Sequence, residues 1–452
     1  MQFVALYNII YKGTLPVRQE RFLHMEKIVI DGGVKLSGKV EISGMKNAAV
    51  AVIFACITTG DVCIIENLPK ISDVRQSLEM LSSIGAKVRP IGKNAVEIDT
   101  RRVKNNVVPF ELARKMRASY YLAGACLARF GSAKVGLPGG CDFGSRPIDQ
   151  HIKAFTAMGA TVTVSGGCME AVTESGLKSA NIFFDCVTVG ATINTIIASV
   201  LCDGVTVIEN AAKEPHIVDL ANFLNFCGAN ITGAGTDVIK IKGVEKLHGC
   251  TYSIIPDMIE AGTFMVAAAA TGGRVYISNV IPKHLEAITA KVCEMGAEVE
   301  EYDEAVMVTR RGELLAANVK TLPYPGFPTD MNPQIATLMC LANGTSHISE
   351  TIWDGRFRYV DELRRMGALI KVDGKTAVIE GVGVLTGACV RAVDLRAGAA
   401  MIIAGLACNG RTEIEDVHYI ERGYDDIVSK LRSLGARIRK INTPDDADMK
   451  IG

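Results

Sequence analysis

The chain repeats itself six times. A helix-like stretch closing on Gly-Ala, followed by a strand-like stretch, recurs as MLSSIGAKV, FTAMGATVTV, FLNFCGANIT, VCEMGAEVE, LRRMGALIKV and LRSLGARIRK. The glycines are Gly85, Gly159, Gly228, Gly296, Gly367 and Gly435, spaced 74, 69, 68, 71 and 68 residues apart. Glycine suits a helix C-terminus, where the chain turns through positive φ. A second series keeps step with it: apolar helical segments such as NAAVAVIFACITTG, GATINTIIASVLCDG and AGAAMIIAGLACNG end at Gly60, Gly131, Gly204, Gly272, Gly344 and Gly410. These segments are apolar nearly all round, which predicts buried helices. Short alternating runs such as DVCIIENLP, VTVIENAA and TEIEDVHYI follow them and read as strands. Each unit is thus a buried helix, a strand, an amphipathic helix and a strand pair. Single cores stop growing at about 250–300 residues, so six units predict two lobes of three, divided near residues 250–257.

Composition removes several classes of function. Lys plus Arg and Asp plus Glu both number 49, so no basic excess points to nucleic acid. No apolar run reaches the roughly 18 residues that a bilayer demands. The thirteen cysteines form no C-x-x-C pair and the seven histidines no H-E-x-x-H, which gives no zinc or disulfide framework. Scattered free thiols fit a reducing cytoplasm. Residues 3–10 are apolar, but no basic region precedes them and Asn8 interrupts them, a poor signal peptide. Residues 1–24 are expected to be a disordered leader or the product of an upstream start, with Met25 as a start in its own right.

Polar residues gather where the buried helices begin. Lys46 and Asn47 open the first, Arg117 and Ser119 the second, Thr188 and Gly190 the third. Asp257 and Glu260, Thr329 and Asp330, then Asp394 and Arg396 open the other three. Helix N-termini carry free N–H groups and partial positive charge, so six of them facing one cleft make an anion trap. Capping alone is an equal explanation for Asn47, Thr188 or Thr329. The cations are different: at a helix start each opposes the dipole, so Lys46, Arg117 and Arg396 point to an anionic ligand. Arg146, Arg356 and Arg422 follow short strands and suit bidentate binding of phosphate or carboxylate, although a surface ion pair is the ordinary fate of an arginine. A thiol, Cys141, lies in the glycine loop GLPGGCDFGSRPID, a setting unlike that of a small buried hydrophobe.

SGMKNAA, KMRASYYLAG, LPGGCDFGSRPIDQH, TVGATIN, ENAAKEPHIVDLANFL, FPTDM, RFRYVDELRRMGA, DLRAGAA and HYIERGYDDI together resemble the UDP-N-acetylglucosamine 1-carboxyvinyltransferase family, over residues 25–439. The resemblance implies an α/β fold: a two-domain inside-out α/β barrel, each domain built of three repeats of about 70 residues. It implies a catalytic lobe over 46–255 and a second lobe made of 25–45 plus 256–452. It also implies transfer of the enolpyruvyl group of phosphoenolpyruvate to the 3-hydroxyl of UDP-N-acetylglucosamine with release of phosphate, the committed step of peptidoglycan synthesis. No metal or organic cofactor is implied.

By the same resemblance Cys141 protonates the methylene carbon of phosphoenolpyruvate and forms a covalent adduct, as a thiol acting as acid and nucleophile can. Lys46, Arg146 and Arg422 would hold the phosphate, and Arg356 and Arg396 the carboxylate. Asp330 would accept the sugar hydroxyl proton. Asn47 and Arg117 would line the substrate site. Arg146, Pro147, Ile148, Asp149 and Gln150 would form the uridine-side loop, with Thr188, Val189, Gly190 and Ile352 near the nucleotide. The chain departs from the family pattern at Cys186, where some relatives carry a basic residue, at Met258, where arginine is common, and at Asp354 and Gly355. Two rivals are a transferase that uses shikimate 3-phosphate as acceptor, to which the cysteine loop is a poor match, and a weakly active regulatory paralogue.

Overall fold

The structure, a computed structural model, describes residues 25–104, 106–114, 116–137 and 148–443. The expected leader, 1–24, lies outside them. All six Gly-Ala glycines have left-handed backbones, with φ from 89° to 107°. The six that follow the apolar helices also have positive φ, from 59° to 105°. The repeat therefore marks real chain reversals, placed where only a residue without Cβ turns at little cost.

The apolar segments form six core helices: α1 (Lys46–Thr59), α2 (Tyr121–Phe130), α3 (Val189–Ser199), α4 (Met258–Thr271), α5 (Asn332–Cys340) and α6 (Leu395–Ala407). In α1 every residue from Ala48 to Thr59 is buried, as a helix with no polar face must be. Helices α1, α2 and α3 pack on one another, and so do α4, α5 and α6. Backbones approach closely inside each triad. A Cβ at Gly124 of α2 would fall 2.3 Å from Asn194 Oδ1 of α3, and the Gly124 N–H donates to that oxygen at 2.9 Å. The opening turns differ slightly from expectation. Arg117 and Ser119 lie in a separate 3₁₀ turn (Arg117–Tyr120) before α2, and Thr329 and Asp330 in another (Thr329–Met331) before α5.

The described residues form six sheets, five of four strands and one of three. In the first five units the strand after the core helix pairs antiparallel with the second strand of a hairpin, as Val62–Glu66 does with Ala95–Asp99 and this with Lys87–Ile91. The fourth strand runs parallel to the strand after the core helix; in the third, fifth and sixth units it precedes that unit's own core helix, as Asn181–Phe183 precedes α3, whereas in the first and fourth it comes from elsewhere in the chain. Thr251–Ser253, after the third unit, joins the first unit's sheet beside Val62–Glu66. Met25–Asp31 lies between Arg411–Glu415 and Arg437–Thr443 in the last sheet, and Ser37–Glu41 pairs with Arg274–Ser278. Both strands that precede α1 therefore belong to sheets of later units. The second unit lacks the fourth strand among the described residues and has one bridge, Val107 to Lys134, in its place.

Candidate active site

Two cation clusters stand where core helices begin. Lys46 is the first residue of α1, and its Nζ lies 2.7 Å from Asp73 Oδ2. Arg422, closing the turn Val417–Arg422, reaches the same carboxylate with Nε at 3.0 Å and Nη2 at 3.4 Å. Asp73 belongs to the first turn of the helix Ser72–Ser83 and its side chain is 2% exposed. Burial pushes its carboxyl up, but Lys46 and Arg422 outweigh that and hold it below the usual range. The cations at this helix start thus have an internal partner, the buried Asp73 carboxylate.

The second cluster has the same design. Asp330 accepts from Arg356 Nη2 at 3.0 Å on one oxygen, and from Arg396 Nε and Nη2 at 3.1 and 3.0 Å on the other. Burial works to raise the Asp330 carboxyl, yet the two guanidiniums hold it far below the ordinary carboxylate value. Both guanidiniums are buried, at 5% exposure. Arg356 also donates Nε and Nη2 to the Thr329 carbonyl at 3.1 and 2.8 Å. Asp394 caps α6 by accepting from the Arg396 and Ala397 N–H groups at 2.8 and 2.9 Å, which fixes the backbone that carries Arg396. The Arg396 guanidinium lies over the Tyr424 ring, 5.5 Å from its centroid. Its Nη1 is buried with no hydrogen-bond partner among the described residues, a cationic donor ready for an acceptor.

Glu350, 1% exposed, ties this half together. It accepts from Thr321, Thr329 and Asn332 side chains at 2.9, 3.0 and 2.8 Å and from the N–H groups of Ile352 and Trp353 at 2.9 and 3.0 Å. That holds the segment on which Trp353 meets Arg117 of the first triad, the guanidinium 5.2 Å from the ring centroid. Ile352 beside it is 40% exposed.

The expected nucleotide residues form a neighbouring group. Ile148 precedes the helix Asp149–Ala157. Gln150 donates to Asp149 and Asp185 at 2.7 and 3.0 Å and accepts from the Asp185 N–H at 3.0 Å. Thr188, Val189 and Gly190 open α3, and the imidazole of His151 abuts Gly190. Thr188 makes no side-chain cap before α3 and the Thr329 hydroxyl donates to Glu350, while the start of α1 is met by Asp257, whose Oδ2 accepts from the Lys46 N–H at 3.3 Å. Asn47 follows Lys46 on α1, half-buried. Cys141, Arg146 and Pro147 lie outside the described residues.

The structure therefore joins Lys46 to Arg422, and Asp330 to Arg356 and Arg396. It adds Asp73, Glu350 and Trp353, which sequence reasoning did not single out. Asp73 sits in PKISDVRQSL, where an acidic residue in a first helical turn passes as an ordinary dipole partner. A cavity of about 630 Å³ lies elsewhere, lined by Lys35, Thr271, Arg310, Asn343 and Ala407 at the C-terminal ends of α4, α5 and α6. No group of three or more His, Cys, Asp or Glu among the described residues is placed to hold a metal, and no helix among them is long and apolar enough to cross a membrane.

Comparison with known proteins supplies the lineage. Residues 30–431 match the family model of EPSP synthase (3-phosphoshikimate 1-carboxyvinyltransferase). The chain is 55% identical over 417 residues to UDP-N-acetylglucosamine 1-carboxyvinyltransferase 3 of Caldanaerobacter subterraneus, covering 92% of this chain and all of that one. It is also 55% identical over 418 residues to UDP-N-acetylglucosamine 1-carboxyvinyltransferase of Clostridium botulinum, with 92% and 100% covered. Among solved structures, an enolpyruvyl transferase from Streptomyces tendae superposes with TM-score 0.83 at 26% identity, over 93% of this chain and all of that one. EPSP synthase from Acinetobacter baumannii shares the fold, with TM-score 0.72 at 17% identity over 92% of this chain and all of that one. The fold is that of the enolpyruvyl transferases, and the chain belongs to the EPSP synthase family, on the branch of the UDP-N-acetylglucosamine 1-carboxyvinyltransferases.

Proposed function

We propose that this protein transfers the enolpyruvyl group of phosphoenolpyruvate to the 3-hydroxyl of UDP-N-acetylglucosamine and releases phosphate, in the cytoplasm, as the first committed step of peptidoglycan synthesis. The observation that carries the reading is Asp330 held between Arg356 and Arg396, with one buried donor of Arg396 left over. The acceptor follows the 55% identical relatives and not the 17% identical EPSP synthase. The two helix triads support a division into lobes of 46–255 and 25–45 plus 256–452.

The reaction uses the two clusters as exchangeable ion pairs. The substrate phosphate takes Lys46 and Arg422 from Asp73 and is also met by Arg146. The substrate carboxylate takes Arg396 and Arg356 from Asp330. Each exchange replaces one anion by another, so no cation is stripped bare in a part-buried site. Losing its guanidiniums raises the basicity of Asp330 at the moment when the sugar hydroxyl needs a proton acceptor. Cys141 gives a proton to the methylene carbon, the sugar oxygen attacks the adjacent carbon, and departure of phosphate with return of a methyl proton to the Cys141 thiolate restores the double bond. The thiolate of Cys141 can trap the same electrophilic carbon. Asn47 and Arg117 line the substrate, while Ile148, Asp149, Gln150, Thr188, Val189, Gly190 and Ile352, with Arg146 and Pro147, take the nucleotide.

The test is mass spectrometry of the product. Incubation with both substrates is expected to give UDP-N-acetylglucosamine heavier by one enolpyruvyl group. Recovery of the unmodified nucleotide sugar, with phosphoenolpyruvate consumed or not, contradicts the proposal.

A further inference from the structure

We propose that Cys227 and Cys250 form a peroxide-oxidisable dithiol that can lock the chain where it passes from the first helix triad to the second. Their sulfurs are 3.3 Å apart, in contact but unbonded. The two residues are 23 positions apart in sequence and sit on well-anchored backbone. Cys227 caps the C-terminal end of the helix Pro215–Phe226, and its carbonyl accepts from the His248 N–H at 2.9 Å. Cys250 immediately precedes Thr251–Ser253, and its carbonyl accepts from the Ile64 N–H at 2.9 Å. Tyr252, two residues on, ties the same strand to the same helix through Asp219 Oδ1 at 2.6 Å. Two thiols held together this way need little movement to bond.

The strand they flank is the crossing. After Thr251–Ser253 the Ile255 carbonyl accepts from the Met45 N–H at 2.7 Å, the Asp257 N–H donates to the Ser43 carbonyl at 2.9 Å, and α4 begins. A bond between Cys227 and Cys250 would pin the start of that crossing to the helix Pro215–Phe226, which packs on α1.

The environment also assigns the two sulfurs different roles. Cys250 is partly exposed and Cys227 is buried. Contact with Cys227 holds the Cys250 thiol below its ordinary value, and the same contact with burial pushes the Cys227 thiol up. Cys250 is therefore the nucleophile that meets solvent, and Cys227 the resolving thiol. The Cys250 thiolate attacks one oxygen of hydrogen peroxide, hydroxide leaves, and a sulfenic acid forms. The Cys227 thiol then attacks that sulfur, and its proton leaves with the displaced hydroxide as water. Two thiols and one peroxide become one disulfide and two waters. Cys63 lies close enough to Cys227 to perturb its thiol, so the wrong pairing is available and has to be tested. Cys186, Cys293 and Cys389 are exposed, but none of them has a second sulfur in contact among the described residues.

The experiment uses the reduced full-length protein and hydrogen peroxide. Non-reducing peptide mapping is expected to find the Cys227–Cys250 peptide pair. Two of the thirteen thiols are lost to a thiol reagent after denaturation, and a dithiol reductant restores both. Phenylarsine oxide, which bridges neighbouring thiols, is expected to bind the wild type at this pair and not C227S. A rise in melting temperature on oxidation, absent in C227S and C250S, follows from closing the loop. Sulfinic acid at Cys250 with no cross-link, or a disulfide through Cys63, overturns the proposal. Mapping of the wild type needs no variant to fold and no transferase activity, so this result stands apart from the transfer assay.

Discussion

Replacing Asp73 by Asn removes the anion that Lys46 and Arg422 share, and the structure sets the size of the effect. The carboxylate is 2% exposed, whereas Lys46 and Arg422 keep 15% and 20% exposure. Losing one partner of a buried pair costs about 3–5 kcal/mol. The part-exposed cations recover some hydration, so about 3 kcal/mol is expected here. At roughly 2–4 °C per kcal/mol for domains of this size, the melting temperature falls by about 6–12 °C. The loss has a signature that a packing defect lacks. The neutral amide no longer competes for the two cations, so inorganic phosphate should raise the melting temperature of Asp73→Asn more than that of the wild type, by about 1.4 kcal/mol at ten times its Kd. The assay is thermal unfolding with and without phosphate at fixed ionic strength. Equal melting temperatures, or equal stabilisation of both proteins by phosphate, refute the idea that Asp73 occupies a phosphate subsite.

Other expectations follow from the same geometry. Asp330→Asn should cut kcat for phosphate release by about 10²–10⁴-fold, since Asn cannot accept the sugar proton; an unchanged kcat contradicts the role. Cys141→Ala should abolish turnover while Cys141→Asp retains part of it, because a carboxylic acid can also donate a proton; equal activity of both variants removes the general-acid assignment. Trp353 is the sole tryptophan, so its emission reports on Arg117; UDP-N-acetylglucosamine should shift that emission in the wild type and not in Arg117→Ala. Glu260 hydrogen-bonds the Ser43 N–H at 3.0 Å and pairs with Lys430, and burial pushes its carboxyl up to about 7. A folded carboxyl above its unfolded value binds more protons in the native state, so its stabilising contribution is lost as pH rises through that window. The melting temperature should therefore fall between about pH 5 and pH 8 more steeply in the wild type than in Glu260→Gln, and parallel profiles discount the assignment.

The repeat was legible because it rests on local rules. Glycine at positive φ and helices with no polar face leave marks in any sequence, and Gly85, Gly159 and the rest sit where those marks placed them. The chain order hid how the sheets close: Thr251–Ser253 joins a strand of the first unit, through backbone pairing that no side-chain pattern encodes. The site divides the same way. Lys46 and Arg396 stood out as cations against a helix dipole, but the carboxylate that answers Arg422 is 349 residues away. Nothing in the sequence sets Asp73 apart from a routine first-turn acid or ties Trp353 to Arg117. Arg117 and Asp330 belong to the expected helix starts but stand one turn outside the α-helices, because a 3₁₀ turn and a first α-turn share the same residue preferences.

Phosphate release measured with each acceptor in turn, phosphoenolpyruvate held saturating, bears most directly on what this chain does. Turnover with UDP-N-acetylglucosamine and none with shikimate 3-phosphate is the expected result. Turnover supported by shikimate 3-phosphate alone contradicts the assignment.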